Sequence, residues 1–145
     1  MKKITKELIY RILDANLNRA VEGMRVCEEL TRFVLNSRKL TAQLKILRHQ
    51  ISRTANTSMR QALIKGRNSR GDVGRCLIKG ELERKNCQDV FFANMQRVKE
   101  SIRALEEFYK LIDKKAAIRL KALRYNAYEA EKKIILKFAA LSNIK

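Results

Sequence analysis

The sequence has no proline, no tryptophan, one histidine and only five glycines in 145 residues. That profile favours long helices over a turn-rich sheet, whose tight connections draw on proline and glycine. The three cysteines, Cys27, Cys76 and Cys87, are odd in number and show no CxxC pairing, so neither a disulfide framework nor a zinc site is expected. Reduced thiols, as in a cytoplasmic protein, are the expectation. No apolar run approaches the roughly 20 residues of a membrane span. The charged start MKKITKELIYRILDANL is interrupted by Asp14 and Asn16 before an apolar core of signal length develops, so no membrane association is expected.

Acidic residues are scarce as well. Fifteen carboxylates face 33 lysines and arginines, a formal charge of +18. Residues 36–79 alone carry eleven basic side chains against Asp72. Such a balance directs attention to anionic partners: nucleic acid, a membrane surface or a phosphorylated metabolite.

What the chain does contain is a hydrophobic content of 46% arranged at helical spacing. Leu13, Leu17, Ala20, Met24 and Cys27 form one stripe. Phe91, Met95, Val98, Ile102, Leu105, Tyr109 and Ile112 form another. The expected helices run from Thr5 or Asp14, either of which suits a cap, to about Asn36; from about Leu40 to Lys65; from a cap at Asp89; and from about Lys115 to Leu141. His49, on the second of these, reads as structural rather than catalytic.

The chain also repeats itself. Shifted by 78 positions, Ala15–Phe33 meets Ala93–Leu111 with seven of nineteen residues identical, six of them polar: Asn16, Arg19, Glu22, Arg25, Glu28 and Glu29 against Asn94, Arg97, Glu100, Arg103, Glu106 and Glu107. A shift of 76 sets QLKILR, ending at Arg48, over RLKALR, ending at Arg124. The expected architecture is all-α: a single domain, an antiparallel four-helix bundle of two repeated hairpins, about 9–64 and about 89–141, joined by a glycine-bearing basic loop at 65–75. The polar rows have two readings. They form ladders of i,i+3 and i,i+4 ion pairs on solvated faces, or they converge as arginines, amides and carboxylates around a phosphate-bearing, metal-dependent ligand.

The loop, KGRNSRGDVGR, holds three of the five glycines. It is either a flexible basic linker or a cradle in which backbone N–H groups and arginines meet phosphate while Asp72 holds Mg²⁺. It lacks the GxxxxGK[ST] pattern, so a standard P-loop is excluded.

Together LDANLNRAVEGMRVCEELTRFVL, LKILRH, NSRGDVG, ANMQRVKESIRALEEFYKL and LKALRY resemble the all-helical hydroxymethylpyrimidine-phosphate kinase domain commonly fused N-terminal to thiamin-phosphate synthase. The resemblance spans about Arg11 to Lys133. It implies thiamin biosynthesis and ATP-dependent phosphorylation of hydroxymethylpyrimidine phosphate to its pyrophosphate, with Mg²⁺ as cofactor and ATP as co-substrate. Carried onto this chain, it implies phosphate and substrate binding by Asn16, Arg19, Arg25, Arg70, Gly71, Gly74, Asn94 and Arg97, with Arg103 added by the repeat. Glu22, Glu100 and Asp72 become the catalytic and Mg²⁺-holding carboxylates.

Two other classes of function compete. One is a non-catalytic partner of a separate thiamin-phosphate synthase, which binds ligand without turning over ATP; a homodimer is compatible with either. The other is a nucleic-acid binder, supported by the charge but opposed by the lack of aromatic platforms or a recognition motif.

Overall fold

A computed structural model describes residues 4–143, and among them every regular element is helical. The elements are α1 (Lys6–Glu29), which runs on through a π-helical turn at Leu30–Val34, then α2 (Arg38–Ser52), α3 (Thr57–Gly66), α4 (Cys87–Tyr109) and α5 (Lys114–Ser142). The apolar stripes close into one core: Leu13, Ala20, Met24 and Cys27 of α1 are fully buried, as are Phe91, Met95, Val98, Ile102 and Leu105 of α4 and Leu120, Ala127 and Ile134 of α5. This is the all-α bundle that the helical spacing calls for.

α1 and α4 pack most extensively, and their direction follows from particular contacts. Cys27 Sγ lies 3.8 Å from the Phe91 carbonyl oxygen, Gly23 abuts Asn94 and Val98, and Asn16 and Arg19 share a cleft with Arg97 and Glu100. Rising numbers on α1 meet falling numbers on α4, so the two run antiparallel. Gly23 has a specific reason to be glycine. A Cβ there would sit 2.9 Å from Val98 Cγ2 and 3.0 Å from the Asn94 oxygen.

Two boundaries differ from expectation, and a third decides between the two starts expected for the first helix. The helix expected at 40–65 breaks after Ser52, since Asn56 caps α3 by accepting from Met59 N, and Arg60 reaches back to the Ser52 and Ala55 carbonyls. Asn86, not Asp89, is the N-cap of α4: its side chain accepts from Asp89 N, while Asp89 Oδ2 accepts from Lys85 N, one residue before the cap. On α1 the helix follows Thr5, whose side chain makes no capping bond, and Asp14 is buried inside the helix.

Candidate functional site

Repeated charges end in two different places. Glu28, 3% exposed, accepts from Arg48 Nε at 2.7 Å and Arg25 Nη1 at 3.3 Å, while Arg25 Nε lies 3.1 Å from Glu29. Glu106, 4% exposed, accepts from Arg124 Nε at 2.9 Å and Arg103 Nη1 at 3.0 Å, while Arg103 Nη2 lies 3.0 Å from Glu107. The hydrogen bond to Glu106, reinforced by one to Tyr128, raises the Arg124 pKa. Lys110 holds Glu107 below its usual value. Arg25 and Arg103, expected at a binding site, are thus engaged in ion networks that clamp α2 to α1 and α5 to α4.

The other two repeated arginines stay free of ion pairs. Among the described residues neither Arg19 nor Arg97 forms an ion pair, and the same holds for Arg75 of the loop. All three line a cleft of about 640 Å³ between α1, α4 and the loop, together with Asn16, Asp72, Gly74, Glu100 and the buried Ser101. Arginines without acidic partners around a cavity are suited to an anion that supplies the missing charge, and their planar forks match phosphate oxygens. Asn16, Arg19 and Asp72 also line a second cleft of about 670 Å³, whose other walls include Leu8, Ile9, Ile12, Val73 and Phe108. A polar chamber therefore opens beside an apolar one, sharing three side chains.

The loop that roofs the polar chamber is fastened. Arg67 pairs with buried Asp14 through Nε to Oδ2 at 2.7 Å and Nη2 to Oδ1 at 2.8 Å, and that hydrogen bond raises the Arg67 pKa. Arg11 donates to the Asn68 and Gly71 carbonyls at 3.1 and 3.0 Å. Within the loop, Asn68 Oδ1 accepts from Gly71 N and Asp72 Oδ1 from Gly74 N, both at 2.9 Å. The second is an Asx turn and the first spans one residue more; both fold the glycines around short polar side chains.

Of the expected site residues, the polar cleft gathers Asn16, Arg19, Asp72, Gly74, Arg97 and Glu100. Gly71 lines the apolar cleft. Glu22, Arg70 and Asn94 line neither, and the first two are exposed. Sequence reasoning passed over Arg75 and Glu81 in the cleft wall, and over the tethers Arg11, Asp14 and Arg67. Among the described residues no group of three histidine, cysteine, aspartate or glutamate side chains is placed to hold a metal.

The ThiD2 family pattern matches residues 11–133, which takes in most of α1, the loop and most of α5. The chain belongs to the ThiD2 family. It is 38% identical over 92% of its length to the thiamine-phosphate synthase of Nostoc punctiforme, covering 37% of that protein. It is 36% identical over 98% of its length to that of Rhodopirellula baltica, covering 38%, and 39% identical over 90% to that of a Synechocystis species, covering 37%. This ThiD2 chain thus spans well under half the length of these curated relatives, and family and relatives together set it in thiamin biosynthesis. No solved structure matches it significantly. Among the described residues no helix is long and apolar enough to cross a membrane.

Proposed function

We propose that the chain is a phosphotransferase of thiamin biosynthesis that converts hydroxymethylpyrimidine phosphate and ATP into the pyrimidine pyrophosphate and ADP. The observation that carries this reading is the set of ion-pair-free arginines, Arg19, Arg75 and Arg97, around a cleft that continues into an apolar chamber. A methylated pyrimidine ring suits the chamber between Ile12, Val73 and Phe108, and its phosphate then falls among Asn16, Arg19 and Arg97. Phosphoryl transfer asks a protein mainly for positioning and neutralisation of oxygen charge, which arginines and a fixed loop supply.

Asp72 and Glu100, two of the three carboxylates of this cleft beside Glu81, fit Mg²⁺ held jointly with substrate oxygens, since that ion commonly takes one or two carboxylates and keeps water. When bound, the ion neutralises charge on the transferred group. Glu22, outside the cleft lining, has no part in this pair. The test is incubation with ATP, Mg²⁺ and hydroxymethylpyrimidine phosphate, followed by mass spectrometry. ATP-dependent pyrophosphate ester supports the reading, and unchanged substrate refutes it.

A second reading is supported by the relatives' name, which refers to the synthase and not to a kinase. In it the chain is a non-catalytic partner that binds the phosphorylated pyrimidine and delivers it to thiamine-phosphate synthase. Binding of the pyrimidine and of the synthase without ATP turnover would establish that reading in place of the first.

A further inference from the structure

Most of the positive charge lies away from the cleft. α1 packs on α2 and α4, and α5 packs on the same two, so α2 and α5 form the side of the bundle opposite the cleft helices. Four basic against five acidic residues on α1, and three against four on α4, leave that pair at −2. Four basic against none on α2, and eight against two on α5, put the opposite pair at +10, more than half of the formal +18. Two of these cations are committed, Arg48 to Glu28 of α1 and Arg124 to Glu106 of α4. Lys39 lies nine residues from Arg48, and Lys115 and Lys133 each lie nine from Arg124. At about 3.6 residues per turn that is two and a half turns, and so the other side of each helix. Arg119 and Lys137 fall on the same side of α5 as Lys115 and Lys133. All five are exposed and form no ion pair among the described residues. From Lys115 to Lys137 the row runs along about 33 Å of helix.

Spread in a row rather than gathered round a cavity, these cations suit an extended polyanion better than a small metabolite. A nucleic-acid duplex carries one charge per about 1.7 Å of its axis, and contact with that backbone needs neither a recognition motif nor a stacking platform. The exposed tyrosines of α5 agree with contact by charge alone: Tyr125 and Tyr128 pack edge to face, and the Arg124 guanidinium lies over both rings. A lipid surface fits less well, because Glu129 stands in line with the exposed Ile118 and Leu136 and would carry its carboxylate into the bilayer with them. We propose that the α2–α5 face binds the phosphate backbone of duplex nucleic acid without regard to sequence. The proposal is independent of the phosphotransferase reading, since the cleft stays open on the other side of the bundle while this face is occupied.

Fluorescence anisotropy with a labelled duplex of about 20 base pairs, read from about 50 to about 200 mM salt, tests the proposal. The parent protein is expected to bind, with log Kd rising against log salt at a slope of about 4. Lys133→Gln combined with Lys137→Gln is expected to weaken binding about tenfold and to flatten the slope by about 2. Both lysines are exposed, so the fold is kept, which unchanged melting curves verify. Arg97→Ala, on the cleft side, is expected to leave the affinity within about twofold. No binding by the folded parent at about 50 mM salt, or binding that the double substitution leaves unchanged, would overturn the proposal. Loss of binding in Arg97→Ala would overturn it too, by moving the duplex to the cleft. Retention on phosphatidylserine-rich vesicles by a parent protein that ignores the duplex would overturn it in favour of lipid.

Discussion

Arg67 grips Asp14 with both of its carboxylate-facing nitrogens, at 2.7 and 2.8 Å, and so ties the glycine loop to the middle of α1. Asp14 is 6% exposed, and its loss of partner would leave a charge in the wall of the apolar chamber. Arg67→Ala is therefore expected to lower stability by about 1–3 kcal/mol, less than for a fully buried pair because the arginine side chain keeps solvent on one side. It is also expected to free the loop, which limited proteolysis near Arg70 and Arg75 would detect as faster cleavage.

The split of the repeated charges predicts opposite phenotypes for similar substitutions. Glu28→Gln and Glu106→Gln each loosen a clamp between two helices and are expected to cost about 2 kcal/mol in urea unfolding, with catalysis affected little. Arg19→Ala and Arg97→Ala remove no ion pair, so stability is expected to stay within about 0.5 kcal/mol of the parent. Their kcat/KM is expected to fall at least about a hundredfold.

Gly23 sets the distance between α1 and α4. Alanine would gain about 1 kcal/mol of helix propensity, but its methyl group meets Val98 and the backbone oxygen of Asn94 at about 3 Å. Overpacking of this sort costs typically about 1–3 kcal/mol. Gly23→Ala is expected to be net destabilising in thermal melts, and more harmful to ligand binding than to folding because the groove widens beside Arg19.

Cys27 is fully buried, and burial, with the Glu131 charge adding to it, pushes its pKa up to about 12 from an ordinary 9.0. Ellman's reagent should therefore titrate the exposed Cys76 and Cys87 in the native protein and reach Cys27 only after unfolding. The neutral thiol is favoured in the folded state, so its contribution is complete below pH 9.0 and declines as pH rises toward about 12, where the folded group also ionises. Within that window the loss is about 1.4 kcal/mol per pH unit, and Cys27→Ala should flatten it.

The bundle was legible because its stripes keep helical spacing from Leu13 to Cys27 and from Phe91 to Tyr109, a signal that needs no tertiary context. The break in the second expected helix was not. No glycine or proline marks residues 53–56; the turn there is fixed by the Asn56 cap and by Arg60 folding back onto Ser52, contacts that exist only once the chain is folded. The polar rows of α1 and α4 posed a related problem. Ion ladders and phosphate sites use the same residue types, and what separates Arg25 from Arg19 is the arrival of Arg48 from another helix at Glu28. A signal was present all the same: Arg48 and Arg124 recur together with Glu28 and Glu106, which marks those glutamates as partners of a second helix. Asn94 and Glu22 fell outside the cleft because the helices repeat while the loop does not, and the one loop closes the cleft over Asn16 and Glu100.

The central claim is tested most directly by a coupled assay in which the protein, ATP, Mg²⁺ and hydroxymethylpyrimidine phosphate feed an excess of thiamine-phosphate synthase and thiazole phosphate. The account predicts thiamine phosphate formation with the parent protein and its disappearance, to below about one part in a hundred, with a folded Arg97→Ala variant. No product from the folded parent protein, or full activity in Arg97→Ala, would contradict it.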